Sequence, residues 1–453
     1  MPLFDNLHHQ FPIDFTWGVA TSAFQIEGAS KADGKGESIW DRFCQQEGVV
    51  VDGSNGDMAC DHYHRMEDDL DLIGSLGVDT YRFSISWPRV QPSGEGAWNE
   101  AGLTFYEDLV NGLWKRNIKP HITLNHWDLP QALQDKGGWN SRETVFHFVN
   151  YARGVYKRLG ERMGAITTHN EPWVIAVLGH ETGVFAPGIK DKKTCIQVSH
   201  HLLLSHGLAV KALRQDGCTL PLGIVINMSS VEPATSSAAD IDKAVWDAAE
   251  GRGWYLDPLL KGNYPLAVLT AMGANAPCIQ TEDMKDISAP IDFLGINFYS
   301  RHVASADGTF DVKNSGMALT DMGWEIYPKG LTDLLMHLHA TYKLPPIYIT
   351  ENGGAFKDLL VKGQVNDHDR KDYLQTHIAA VAKAMANGVP VKGYMVWSLM
   401  DNFEWACGYE KRFGIVHVDY VTQKRTLKTS AKWYQQFLTL YRSLHDQTLK
   451  VRN

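Results

Sequence analysis

Two glutamates carry the first chemical suggestion in this chain: Glu171, in TTHNEPW (167–173), and Glu351, in ITENGG (349–354). Each ends a short run rich in β-branched residues, and each has an asparagine beside it. Pro172 crowds the backbone of Glu171 and disfavours the helical region, so the sequence predicts an extended residue at a strand terminus. A lone glutamate is ordinarily a solvated surface charge. Two at strand ends, amid Asn and Trp, suggest carboxyls that share a cleft. Such a pair suits hydrolysis of a glycosidic bond, one carboxyl acting as acid and the other as nucleophile or base.

Elements able to position that pair can be traced along the chain. Apolar or β-branched runs recur at 14–20, 80–86, 119–125, 165–171, 222–227, 292–297, 346–351 and 392–398, each followed by a loop and a helical pattern. Ser141 is placed to cap a helix whose apolar face holds Val145, Phe148, Val149, Ala152 and Tyr156, and Asp367 stands ahead of a second such stretch. Eight alternating units predict a (β/α)₈ barrel of the TIM type with long βα loops, spanning 1–453 as a single catalytic domain. No G-x-G-x-x-G follows a strand, which argues against an open dinucleotide-binding sheet. In such a barrel the chemistry lies at the C-terminal strand ends. Those ends hold Gln25, Arg82, Asn125, His126, Trp127, Asn170, Asn297, Tyr299, Asn352 and Trp397 beside the two glutamates. Packing alone does not explain so many polar and aromatic residues there.

Composition narrows the classes further. The chain has 453 residues, 44% of them hydrophobic, and a formal net charge of −9, which disfavours nucleic acid as a partner. Six scattered cysteines without C-x-x-C spacing fit reduced thiols in a cytoplasmic protein. The N-terminus lacks a basic segment followed by an apolar one, and no apolar run is long enough to span a bilayer. The 14 tryptophans and 17 tyrosines supply more aromatic surface than packing requires, and sugar stacking is one use for it.

Several motifs in order resemble glycoside hydrolase family 1, the β-glucosidase family, over essentially the whole chain. They are FTWGVATSAFQIEGA (15–29), SIWDRF (38–43), YRFSISWPR (81–89), NHWDLP (125–130), THNEP (168–172), INFYS (296–300), ITENG (349–353) and WSLMDNFEWACGYEKRFGIVHVDY (397–420). The resemblance implies Glu171 as general acid/base and Glu351 as nucleophile of a retaining reaction, with no metal or organic cofactor. Arg82 and Tyr299 would keep the nucleophile ionised, and Asn170 would hold the sugar 2-hydroxyl. Gln25, His126, Trp127, Asn297, Glu404 and Trp405 would contact the non-reducing sugar, with Trp397 as its stacking floor. Family members often carry a cis peptide at the pair that is Trp397–Ser398 here. Trp173, His180, Trp324 and Phe413 are expected on the leaving-group side.

The implied substrate is a small-molecule β-D-glucoside or short cello-oligosaccharide, with galactoside or fucoside as side activities. Relatives that take 6-phosphosugars place Ser, Lys and Tyr near the last strand's loop, where this chain has Glu404, which repels phosphate. Relatives that cleave glucosinolates replace the acid by Gln; this chain keeps Glu171. A transglycosidase would share every catalytic residue, and a non-catalytic glycan binder would be expected to have lost one carboxylate.

Other features are read as structural. His62 and His64, and the group His200, His201 and His206, lack convincing metal-ligand spacing. The run Glu67, Asp68, Asp69, Asp71 is expected on a solvated helix face, and His8 and His9 on the surface. Cys407 is expected as a small packing residue. His169 is expected in packing or a supporting hydrogen bond.

Overall fold

A computed structural model of the chain describes residues 6–452, with side chains described as far as residue 444. Eight parallel strands close into a barrel: β1 (Thr16–Ala20), β2 (Thr80–Ser84), β3 (Lys119–Asn125), β4 (Ile166–Asn170), β5 (Leu222–Asn227), β6 (Phe293–Asn297), β7 (Ile347–Asn352) and β8 (Val391–Trp397). Each falls on a run expected from sequence, within one or two residues at its ends. Parallel barrel strands are covered on both faces, so their sequences read as nearly continuous apolar stretches such as LGIVIN in β5. β1 pairs with both β2 and β8, which closes the ring.

The principal helices are α1 (His62–Leu76), α2 (Glu100–Lys115), α3 (Arg142–Leu159), α4 (Lys192–Gln215), α5 (Ala238–Ala248), α6 (Pro328–Thr341), α7 (His368–Ala386) and α8 (Thr429–Arg452). Ser141 and Asp367 do stand at the N-caps of α3 and α7, but neither side chain makes the capping hydrogen bond. Asp367 instead accepts from the Ser430 backbone at 2.8 Å and pairs with Arg370 at 2.5 Å. The N-terminal end of the barrel is sealed by aromatic rings: Trp17 packs against Phe11, Phe15 and, from α8, Phe437, at centroid distances of 4.8, 4.6 and 4.9 Å. No helix among the described residues is long and apolar enough to cross a membrane.

Two sequence expectations fail here. Asp69 does not lie on a solvated face: it is 1% exposed, accepts from Arg425 Nε at 2.9 Å and pairs with His62 Nδ1 at 2.9 Å. A buried carboxylate needs such partners, and these join α1 to a C-terminal segment remote in sequence. His8 is also buried, against the edge of Phe437, whereas His9 is exposed.

Candidate active site

Five consecutive barrel strands, β3 to β7, end on asparagine: Asn125, Asn170, Asn227, Asn297 and Asn352. Asparagine is a poor strand former but carries both donors and acceptors, so its recurrence marks the polar end of the barrel. Asn352 and Glu351 show ordinary alternation. Asn352 turns outward to the Phe298 carbonyl and Tyr373 hydroxyl, and Glu351 turns inward. Asn170 and Glu171 break the alternation, because both face the barrel mouth. The register shifts between Thr167 and Asn170, and Glu171 has a φ of +49°. This corrects the expectation of an extended Glu171: the strand ends at Asn170, and a left-handed residue re-aims the next side chain. Trp127 (φ +80°) and Trp405 (φ +51°) share that left-handed region. Each such residue costs about 1–3 kcal/mol, and three of them gather at this one site. Gly353 is required by close packing, since a Cβ there would lie 1.7 Å from the Trp397 carbonyl oxygen. The Trp397–Ser398 peptide is cis.

The two carboxyls are treated unequally. Arg82 Nη1 donates to Glu351 Oε1 at 2.6 Å, and the Tyr299 hydroxyl donates to Oε2 at 2.5 Å. Glu171 Oε1 receives only the neutral amide of Asn297, at 2.5 Å. Asn170 Oδ1 joins the two halves, accepting from Arg82 Nη2 at 2.7 Å and from Asn297 Nδ2 at 3.0 Å. Burial pushes both acids upward. For Glu351, the Arg82 charge and the Tyr299 and Asn297 hydrogen bonds pull in the opposite sense. For Glu171, the charge of Glu351 adds to burial and lifts it to about 8. When the pair holds one proton, that proton belongs on Glu171. Burial beside Glu351 also keeps Tyr299 protonated, so it remains a donor.

These groups open into a cavity of about 770 Å³. Trp397, Trp405, Glu404, His126, Trp127 and Asn297 line it together with both catalytic candidates and Tyr299. Arg82, Asn170 and Gln25 are fully buried behind the lining. The ring of His126 lies nearly parallel to that of Trp397, 5.9 Å between centroids. Burial holds His126 neutral, and its Nε2 accepts from Asn170 Nδ2 at 3.2 Å, so Nδ1 carries the proton. That N–H is buried and has no partner among the described residues. Gln25 Nε2 reaches Asn402 Oδ1 and the Phe403 carbonyl at 2.9 Å each and Glu404 Oε2 at 3.4 Å. Burial, with Glu351 nearby, lifts Glu404 to about 8.

Trp173, Trp324 and Phe413 line the same cavity, with apolar neighbours such as Val177, Phe185 and Met322, and Phe413 is buried in one cluster with Trp397. His180 does not join them, contrary to expectation. It is 1% exposed, and its Nδ1 donates to the Ile175 carbonyl at 2.8 Å. The intervening Val174–Leu178 turn is π-helical, with a wider turn than an α-helix, so α-helical spacing misplaces the residues beyond it. His169 is buried between Asn125 and Ser205, hydrogen-bonded to both and stacked on Phe148.

Sequence reasoning missed three polar residues that shape the site. Thr350 Oγ1 donates to Asn297 Oδ1 at 2.7 Å, which turns the Asn297 amide nitrogen toward Glu171. Ser22 fixes Gln25 by donating to its Oε1 at 2.6 Å. Asn227 lines the cavity from the end of β5, a position its place in the asparagine series could have revealed. Among the described residues, no group of three or more His, Cys, Asp or Glu is arranged to hold a metal ion.

A closed (β/α)₈ barrel with two buried, unequally held carboxyls at the mouth of an aromatic cavity has the construction of a glycoside hydrolase. Comparisons with known proteins agree. The family model for glycosyl hydrolase family 1 matches residues 7–442. The chain is 48% identical to β-glucosidase A of Acetivibrio thermocellus, over 94% of this chain and 98% of the relative. It is 46% identical to a β-glucosidase of Agrobacterium sp., over 95% of each. Among solved structures, the virulence factor SghA of Agrobacterium tumefaciens superposes with a TM-score of 0.93 at 45% identity, covering 96% of this chain and 99% of that one. The family 1 β-glucosidase of Thermotoga maritima gives 0.92 at 44% identity, covering 95% and 98%. This chain belongs to glycosyl hydrolase family 1.

Proposed function

We propose that the protein is a retaining β-glucosidase that removes the terminal non-reducing β-D-glucosyl unit from β-glucosides and short cello-oligosaccharides. The observation that carries this reading is the division of labour between the carboxyls: Glu351 is held by a cation and a hydroxyl, while Glu171 has a neutral amide and the charge of Glu351 beside it. Ionised Glu351 attacks the anomeric carbon as Glu171 gives its proton to the departing oxygen, so one C–O bond forms while the glycosidic C–O bond breaks. Formation of the ester removes the charge that raised Glu171. Glu171 then takes a proton from water, and that water displaces Glu351 with overall retention.

Further observations support the assignment. Asn170 Oδ1 accepts from both Arg82, which holds Glu351, and Asn297, which holds Glu171, so one short hydrogen-bonded chain links the two acids. With Asn170 Oδ1 occupied by Arg82 and Asn297 and one Nδ2 hydrogen given to His126, the second Nδ2 hydrogen is the one left for the sugar 2-hydroxyl. His126, Glu404 with Gln25 behind it, and the Trp397 ring supply polar groups and an apolar face for the other hydroxyls. Relatives named β-glucosidases and a solved complex of SghA with its substrate analog salicin favour a β-glucoside.

The test is Glu351→Ala. The variant should fold and lose turnover, and azide should restore a product of inverted configuration. Wild-type turnover in the variant would sink the assignment. NMR of the first-formed sugar from the unmodified enzyme should show the β-anomer, and the α-anomer would refute retention.

A further inference from the structure

We propose that Glu325 is a positioning residue that sets leaving-group selectivity by holding Trp324 at the cavity wall. Trp324 sits in a tight turn closed by the Leu319–Glu325 bridge, by Thr320 N donating to the Trp324 carbonyl at 2.8 Å, and by Ile326 N donating to that of Ala318 at 2.8 Å. Residues 311–324 are exposed or half-buried except Thr320, and Met322 and Trp324 pack from that turn against Phe413 and its neighbours. Glu325, by contrast, is 2% exposed. A carboxylate is a costly anchor unless it is fully paired.

Here the pairing is bidentate. Arg301 Nε donates to Glu325 Oε2 at 2.7 Å and Nη2 to Oε1 at 3.0 Å. The Ser300 hydroxyl adds a bond to the Glu325 carbonyl oxygen at 2.9 Å. Arg301 is itself fixed, since its Nη1 donates to Glu232 Oε2 at 2.7 Å and its guanidinium lies 4.1 Å over the Tyr327 ring. Ser300 and Arg301 directly follow Tyr299, the residue bonded to Glu351. The turn carrying Trp324 is therefore clamped to the segment that holds the nucleophile, and its ring rests 5.5 Å from that of Tyr299. A planar, two-point ion pair fixes orientation as well as distance. Glu325 does not itself line the cavity, so it acts on the substrate through Trp324 and through Arg301, which does line it.

The proposal rests on the β-glucosidase reading. Its test compares leaving groups that do and do not reach Trp324: β-glucosyl fluoride, 4-nitrophenyl β-glucoside and cellobiose. In Glu325→Ala, kcat/KM for the two larger substrates should fall about tenfold, mostly through KM, from loss of one well-placed aromatic contact. The fluoride, whose leaving group is one atom, should stay within about twofold, as should the Ki of deoxynojirimycin. Glu325→Gln keeps the shape and part of the hydrogen bonding, and should move the same ratio about two- to threefold. If the alanine variant does not fold, the glutamine variant decides. Equal losses for all three substrates, or an unchanged ratio in the glutamine variant, would overturn the proposal. Absence of β-glucoside hydrolysis by the unmodified enzyme would overturn instead the reading on which it rests.

Discussion

Tyr299→Phe removes one hydroxyl and keeps the ring, with its neighbours Trp324 and Phe413 at 5.5 and 6.1 Å. The lost group donates to Glu351 Oε2 at 2.5 Å. A hydrogen bond to an ionised partner contributes about 1.5–3 kcal/mol. At about 1.4 kcal/mol per unit, its removal shifts the carboxyl by about one to two pKa units. The hydroxyl stabilises the charged form, so the shift is upward. On the proposed mechanism, activity requires Glu351 ionised and Glu171 protonated. The acid limb of the kcat/KM profile therefore moves up by about one to two pH units, while the basic limb stays at about 8, where Glu171 loses its proton. The bell narrows from its acid side and its maximum falls. An aryl β-glucoside assayed from about pH 4 to about pH 10, with a thermal melt at each pH, reads both effects. An acid limb that stays in place would refute the reasoning, as would a lower maximum with unchanged width.

Because Glu171 and Glu404 both rise to about 8 in the folded chain, each favours folding less as pH climbs from its unfolded value of 4.5 toward 8. Glu171→Gln and Glu404→Gln should therefore melt above the unmodified protein at pH 8, and the gap should close near pH 4. Lys428 is fully buried and bonds Asp358 and Asp401 at 2.6 Å each. Lys428→Met leaves both carboxylates short of a cation and should cost about 3–5 kcal/mol, measured by urea unfolding. Asp401 also accepts from Arg412 Nη1 at 2.6 Å and from Gly414 N at 3.1 Å, on either side of Phe413. The same variant should therefore raise KM.

The barrel was legible because buried parallel strands write themselves as short apolar runs, and each of the eight was found. The carboxyl pair and its holders were legible because polar residues at strand ends have no packing reason to be there. What escaped reading depends on local geometry or distant pairing. The left-handed Glu171 and the π-helical turn before His180 alter direction without altering composition. Asp69 looks like one charge among several until Arg425 arrives from the far end of the chain. The Glu325–Arg301 clamp and the Lys428 network likewise join loops with no shared periodicity.

Closure of the barrel by β1 and β8 has a temporal consequence. Gln25 leaves the first strand and meets Asn402, Phe403 and Glu404 beyond the last, across 377 to 379 residues of sequence. On the proposed reading, the grip on the sugar is therefore completed only when the two ends of the barrel find each other. A chain still emerging from the ribosome, or one cut short before Glu404, has both carboxyls in its sequence yet only half of that grip. Synthesis must pass Glu404 before both halves of that grip exist.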